Sequence, residues 1–199
     1  MNIGSIPVWS ILGVVVPLIA LYYRYGYGAK SHVSLSRLVL NDDSDWRDGR
    51  SNDQEICSKR IFIVASNSGW REGIVSGVEL VEAVVWDEEG NKRVVLGPQD
   101  SILKIELEHF EPDGRSTRLD LEKETDFSGQ IIPGRDDERF AVLPFILKDS
   151  ELWEAMKNGE RGRFVFKMTI EDNKRLYPTS VDVSTSLTYS TRDEISEGQ

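Results

Sequence analysis

Cysteine is almost missing from this chain of 199 residues, where Cys57 stands alone. A single thiol closes no internal loop, so the fold must be held by buried apolar surface rather than by disulfides. Cys57 itself reads as buried and inert, because a reactive thiol needs an exposed, electropositive setting. Histidine is nearly as scarce, with only His32 and His109. A zinc site would have to recruit carboxylates without a recognisable spacing, so no metal ligand is assigned. Positive charge is also short: 24 Lys and Arg against 34 Asp and Glu leave a formal net charge of −10. A general nucleic-acid binder needs a basic face to displace counterions from phosphate, and that class is set aside.

Other absences concern catalysis. No Gly-rich phosphate loop, no G-x-S-x-G elbow and no Cys/His pairing with catalytic spacing occurs. The acid pairs Glu88-Glu89 and Asp136-Asp137-Glu138 fall in turns. The acidic stretch Asn41 to Gln54 fails the calcium-loop template, since Arg47 and Asp48 occupy its fifth and sixth places counted from Asp43. It reads as a polar loop. No catalytic residue, cofactor-binding residue or cofactor is therefore assigned, and the chain reads as a non-enzyme.

What the chain does have is one long uncharged run, Ile6 to Tyr23 (IPVWSILGVVVPLIALYY). As a helix it would be roughly 27 Å long, close to the ~30 Å hydrocarbon core of a bilayer. Its ten Leu, Ile and Val residues favour insertion by about −0.3 to −0.6 kcal/mol each at central positions. Met1 to Ser5 carries no Lys or Arg, whereas Arg24, Lys30 and Arg37 follow the run. That asymmetry predicts an uncleaved, single-pass membrane anchor with the short N-terminus outside and the domain in the cytoplasm. Trp9, Tyr22 and Tyr23 are expected at the two interfaces, Ile6 and Arg24 at the ends, and a kink is expected at Pro17. The division is then an anchor over 1–24, a connector over 25–31, a β-sandwich over 32–190 and a disordered tail over 191–199.

The soluble part alternates like strands. His32 to Leu40 switches parity near Ser36 and Arg37, which predicts a bulge. Ile61 to Ala65 reads as a strand buried on both faces, and Ile74 to Trp86 as a long strand interrupted at Gly77 and ended by the turn 87–91. Leu103, Ile105 and Leu107 face in, with Lys104, Glu106 and Glu108 facing out, and Asp113-Gly114 is a hairpin turn. Pro144 predicts an edge position or a bulge for Arg139 to Leu147. Ser150 or Asp149 caps a short helix over Glu151 to Lys157. Phe164, Phe166, Met168 and Ile170 share one face, and Val181, Val183 and Leu187 point inward from the last strand. The sum is an all-β fold, an antiparallel sandwich of eight or nine strands with one short helix, preceded by a transmembrane helix.

Asn67-Ser68-Gly69 followed by Trp70 and Arg71 joins two such strands, and Trp and Arg are enriched at interface hot spots. Trp70 and Arg71 are the candidate interaction residues. From roughly Ile6 to Tyr189 the chain resembles single-pass membrane-anchored proteins with a small immunoglobulin-like sandwich, which carry an Asn-x-Gly corner followed by a strand like Ile74 to Val85. The cysteine pair of antibody domains is absent. The resemblance implies a binding or accessory module with no catalytic residue to carry over. The leading expectation is a membrane-tethered module contacting a protein partner. The alternatives are an exported cell-surface or periplasmic binding domain and a hydrolase built on an Asp/Glu pair.

Overall fold

A computed structural model of the chain describes residues 8–22, 30–39, 46–51, 53–95, 101–111, 113–121, 130–172, 175–187 and 189–190. The uncharged run forms helix α1 (Val8–Leu21), which contains Pro17. Its fourteen residues give a rod of about 21 Å, shorter than the span expected over Ile6 to Tyr23. Among the described residues no helix is long and apolar enough to cross a membrane. Val14, Val16, Leu18, Ile19 and Leu21 are all exposed. Ile6, Tyr23, Arg24, most of the expected connector and the 191–199 tail lie outside the described residues.

Thirteen strands follow among the described residues. They are β1 (Val33–Arg37), β2 (Trp46–Ser51), β3 (Gln54–Ser58), β4 (Ile61–Asn67), β5 (Gly73–Trp86), β6 (Lys92–Val95) and β7 (Ile102–Phe110). Next come β8 (Ser116–Leu119), β9 (Ile131–Ile132), β10 (Asp137–Leu147), β11 (Arg161–Asp172), β12 (Arg175–Ser186) and β13 (Tyr189–Ser190). The count exceeds eight or nine partly because β9 and β13 are two-residue pairings too short to leave a periodic pattern. One sheet has the order β1-β4-β10-β3-β2-β13, with β7 on β10 and β8 on β7; the other runs β12-β11-β5-β6, with β9 on β5. Every pairing is antiparallel except β13 on β2, which is parallel.

The two sheets are packed face to face over one apolar core. From β11, the expected strip Phe164, Phe166, Met168 and Ile170 is at most 1% exposed. It packs with Ile63 of β4, Leu107 of β7 and Phe140 and Val142 of β10. Trp46 of β2 lies across from Phe164, with ring centroids 5.4 Å apart. Helix α2 (Glu151–Lys157) closes one side of this core, burying Leu152 and Met156, and its cap is Ser150, whose Oγ accepts from the Trp153 N–H.

Four sequence expectations are corrected in whole or in part. The strand bearing Pro144 is not at an edge: β10 pairs with β7 along one side and, along the other, with β4 up to Val142 and with β3 from Phe145. The alternative expectation, a bulge, is met beside it, where the register with β7 shifts between Phe145 and Ile146. Pro144 falls between those two partners, where a missing N–H breaks no ladder bond on that side. Strand β1 has no bulge; it pairs with β4 in unbroken register and ends at Arg37, because Leu38 leaves the ladder, keeping only an N–H bond to the Phe62 carbonyl. The stretch read as a polar loop, Asn41 to Gln54, contains β2 and the first residue of β3, and Trp46 within it is fully buried. Along β7 a register shift separates Ile102 from Lys104, so Ile102 packs on the core and Leu103 is displaced from it. Glu106 and Glu108 do face outward but are nearly buried, covered through ion pairs with Lys104, Arg118 and Arg60.

Cys57 is fully buried, opposite Asp48 in the β2–β3 ladder. Burial pushes its thiol from an ordinary 9.0 up to about 12, with Asp48 adding to the rise and Lys148 opposing it. Below pH 9 both the folded and unfolded thiols are protonated, so Cys57 makes no pH-dependent contribution there. Between about pH 9 and about 12 the unfolded thiol ionises while the folded one does not, so stability declines across that window. A denaturant midpoint measured through this range is expected to fall more steeply for the parent chain than for Cys57→Ala. Phe164→Ala is expected to cost about 3–5 kcal/mol by the same measurement.

Candidate functional site

At one end of the sandwich the chain turns from β4 into β5 through Asn67 to Glu72. Asn67 is almost wholly buried, and a buried amide must have its hydrogen bonds met. Its Oδ1 accepts from the His32 N–H and the Gly69 N–H, each at 3.0 Å. Its Nδ2 donates to the carbonyls of Arg71 at 2.7 Å and Ile132 at 3.2 Å. One side chain thus joins the lead-in to β1, the β4–β5 loop and the end of β9.

The backbones around it are packed too closely for side chains. A Cβ on Gly69 would lie 2.0 Å from the Lys30 carbonyl oxygen, and one on Gly134 would lie 2.3 Å from that of Trp70. Next to Gly134, Arg135 takes the left-handed conformation at φ +64°; its N–H donates to the Gly69 carbonyl and its guanidinium lies 4.6 Å from the centre of the Trp70 ring.

Both residues singled out from sequence are at this corner and open to solvent. Trp70 is 64% exposed. Arg71 lies 3.9 Å from Asp172, a loose surface contact worth little by itself. The other oxygen of Asp172 accepts from the Ser31 N–H at 2.9 Å. Ser31 Oγ in turn shares a 2.7 Å hydrogen bond with the Tyr177 hydroxyl. Asp172 is also the ladder partner of Arg175, beside Leu176, which is 66% exposed. Four segments distant in sequence therefore meet here, presenting Trp70 and Leu176 with Lys30, Arg71, Arg135 and Arg175. Exposed Glu72, Asp136 and Asp137 stand among them. Sequence reasoning missed Arg135, Arg175 and Leu176, because nothing local marks residues that meet only through the β9–β10 turn and the β11–β12 hairpin.

The opposite end holds a polar, solvent-open cavity of about 490 Å³ lined by Trp86, Asp87, Glu88, Glu160, Arg161 and Ser184 to Ser186. The Arg161 guanidinium lies 5.0 Å from the centre of the Trp86 ring. Asp87 is engaged in its own turn, accepting from the Asn91 N–H at 2.8 Å and the Asn91 side chain at 3.3 Å. His109 Nε2 is 2.7 Å from Glu138, on a strand end and away from this cavity. Among the described residues no group of three or more His, Cys, Asp or Glu is arranged to hold a metal ion.

No protein-family model matches the chain, and no curated protein matches it. Among solved structures it is similar to an ASH/PapD-like domain of human CEP192, at 8% identity and a TM-score of 0.33, covering 77% of this chain and 84% of that one. It is also similar to the CooA pilin subunit of enterotoxigenic Escherichia coli, at 9% identity and 0.29, covering 78% and 98%. A protein from Archaeoglobus fulgidus aligns at 12% identity and 0.32, covering 81% and 98%.

Removing the Asn67 amide leaves its N–H and carbonyl partners without their bonds. Asn67→Ala is expected to cost upwards of about 2 kcal/mol in denaturant unfolding and to raise amide exchange at His32 and Gly69 ahead of the core strands.

Proposed function

We propose that the chain is a non-enzymatic β-sandwich module tethered to a membrane by its N-terminal apolar segment, with the domain on the cytoplasmic side, where it serves as an accessory subunit contacting a protein partner. The observation that carries this reading is helix α1: no acidic or basic residue in its end turns and Val14, Val16, Leu18 and Ile19 each at least half exposed. Such a surface is costly in water, and it needs apolar surroundings that the described part of the sandwich does not supply. The cytoplasmic side follows from Arg24, Lys30 and Arg37 after the apolar run. The non-catalytic role is inferred from a sequence without a phosphate loop, a nucleophile elbow or a Cys/His pairing at catalytic spacing.

The test is fractionation of cells expressing the full chain. The chain is expected to stay in the membrane pellet after alkaline carbonate extraction, and Leu18→Arg with Ile19→Arg is expected to shift most of it to the soluble fraction. Protease added to intact cells should leave the domain whole, and permeabilisation should expose it. Recovery of the parent chain in the soluble fraction, or digestion in intact cells, overturns the reading.

A further inference from the structure

We infer that the Trp70 corner is a lipid-facing foot, seating the sandwich on the anionic headgroups of the membrane to which α1 tethers it. The inference rests on the tethering proposed above and adds which end of the domain meets the bilayer, and through which residues.

Chain length supplies the first argument. Eight residues lie between Leu21, the end of α1, and Lys30, and the nine steps from one to the other reach at most ~32 Å at full extension. Lys30 is part of the corner, its carbonyl packed against Gly69. The tether therefore attaches at this end. The cavity end is roughly 35 Å further away along the twelve-residue strands β11 and β12.

The chemistry of the corner is the second argument. Trp70 and Leu176 are both about two-thirds exposed, and tryptophan with flanking arginine is the combination favoured where hydrocarbon gives way to headgroups. Arg71, Arg135, Arg175 and Lys30 place four cations at this end of a chain whose net charge is −10. Exposed Glu72, Asp136 and Asp137, with Asp172 buried beneath Arg71 and holding the Ser31 N–H, match these four cations in number, so this end is close to neutral in a chain that is acidic as a whole. It meets anionic lipid without the repulsion the overall charge would bring, and its arginines lie within reach of headgroups beside the contact that Trp70 begins. The third argument is rigidity: with Gly134 pressed on its carbonyl and Arg135 over its ring, Trp70 is held outward without further ordering on contact.

The experiment uses the full chain reconstituted in vesicles of phosphatidylcholine and phosphatidylglycerol, with acyl chains brominated near the glycerol end to quench nearby tryptophan. Trp9→Phe removes the helix tryptophan, leaving Trp46, Trp70, Trp86 and Trp153. Quenching is expected in this background and is expected to fall at least about twofold on Trp70→Phe, which preserves an aromatic ring and the fold. Arg71→Gln with Arg175→Gln is expected to reduce quenching in the mixed vesicles to the level seen in phosphatidylcholine alone. Quenching that Trp70→Phe leaves unchanged, with the parent chain still floating with the vesicles, overturns the inference while leaving the tether standing. A parent chain that does not float removes the tether and the inference together. Trp70 that stays unquenched, in a chain whose protein partner is lost on Trp70→Ala, gives the corner to a protein and also overturns it.

Discussion

The contact between the strip Phe164, Phe166, Met168 and Ile170 and the facing sheet is the constraint on which the rest of this structure depends. With one cysteine in 199 residues, no covalent staple shares the task, and removal of apolar surface from water has to do it. Strand β11 suits the role because it is paired on both edges, with β12 from Arg161 to Asp172 and with β5 from Arg161 to Glu171. Its inward side chains therefore stand on a fixed template, and Phe140, Val142, Leu107 and Trp46 fill the space opposite. Helix α2 adds Leu152 and Met156 to the same core. Both ends of the sandwich take their positions from the length and registry of this strand.

Those two ends are built differently. At the cavity end, acidic and hydroxyl side chains surround an open space; Asp87 is held within its own turn, and buried Thr185 accepts from Lys59 Nζ. At the Trp70 end, the polar groups lie inside: Asn67, Ser31 and Asp172 are all buried and are bonded to one another's segments. A buried polar group is tolerated only when its bonds are complete, and Asn67 meets four of them. The result is a stiff corner with polar groups inside it, and with Trp70 and Leu176 exposed among charged side chains on its outside.

Much of this was legible in the sequence, for reasons that can be stated residue by residue. Alternation along Phe164 to Ile170 and Leu107 to His109 survives because each such strand has one face in the core. The Ser150 cap and the Asp113-Gly114 turn were readable because their chemistry is local; Gly114 takes φ +87°. The expectation that Trp70 and Arg71 share a corner followed from adjacency. The place of Pro144 was not readable, since its tolerance depends on a switch of neighbours from β4 to β3, which are separated along β10 but not along the chain. Trp46 was hidden in a polar surrounding, and the near-burial of Glu106 and Glu108 came from Lys104 on their own strand together with Arg118 and Arg60 from elsewhere in the chain. The pairing of Arg135 with Trp70 joins residues 65 positions apart and leaves no local trace.

The central place of β10 also governs the order of events as the chain is made. Strands β3 and β4 leave the ribosome early, but their shared neighbour begins at Asp137, seventy residues after Asn67. At roughly 5–20 residues per second, the apolar edges of Ile61 and Ile63 stay unpaired on that side for about 4 to 14 s. A nascent chain in that interval presents an open, strongly β-forming edge beside an apolar helix segment already synthesised. The topology therefore fixes not only the final packing but also how long that edge stays open before its partner is made.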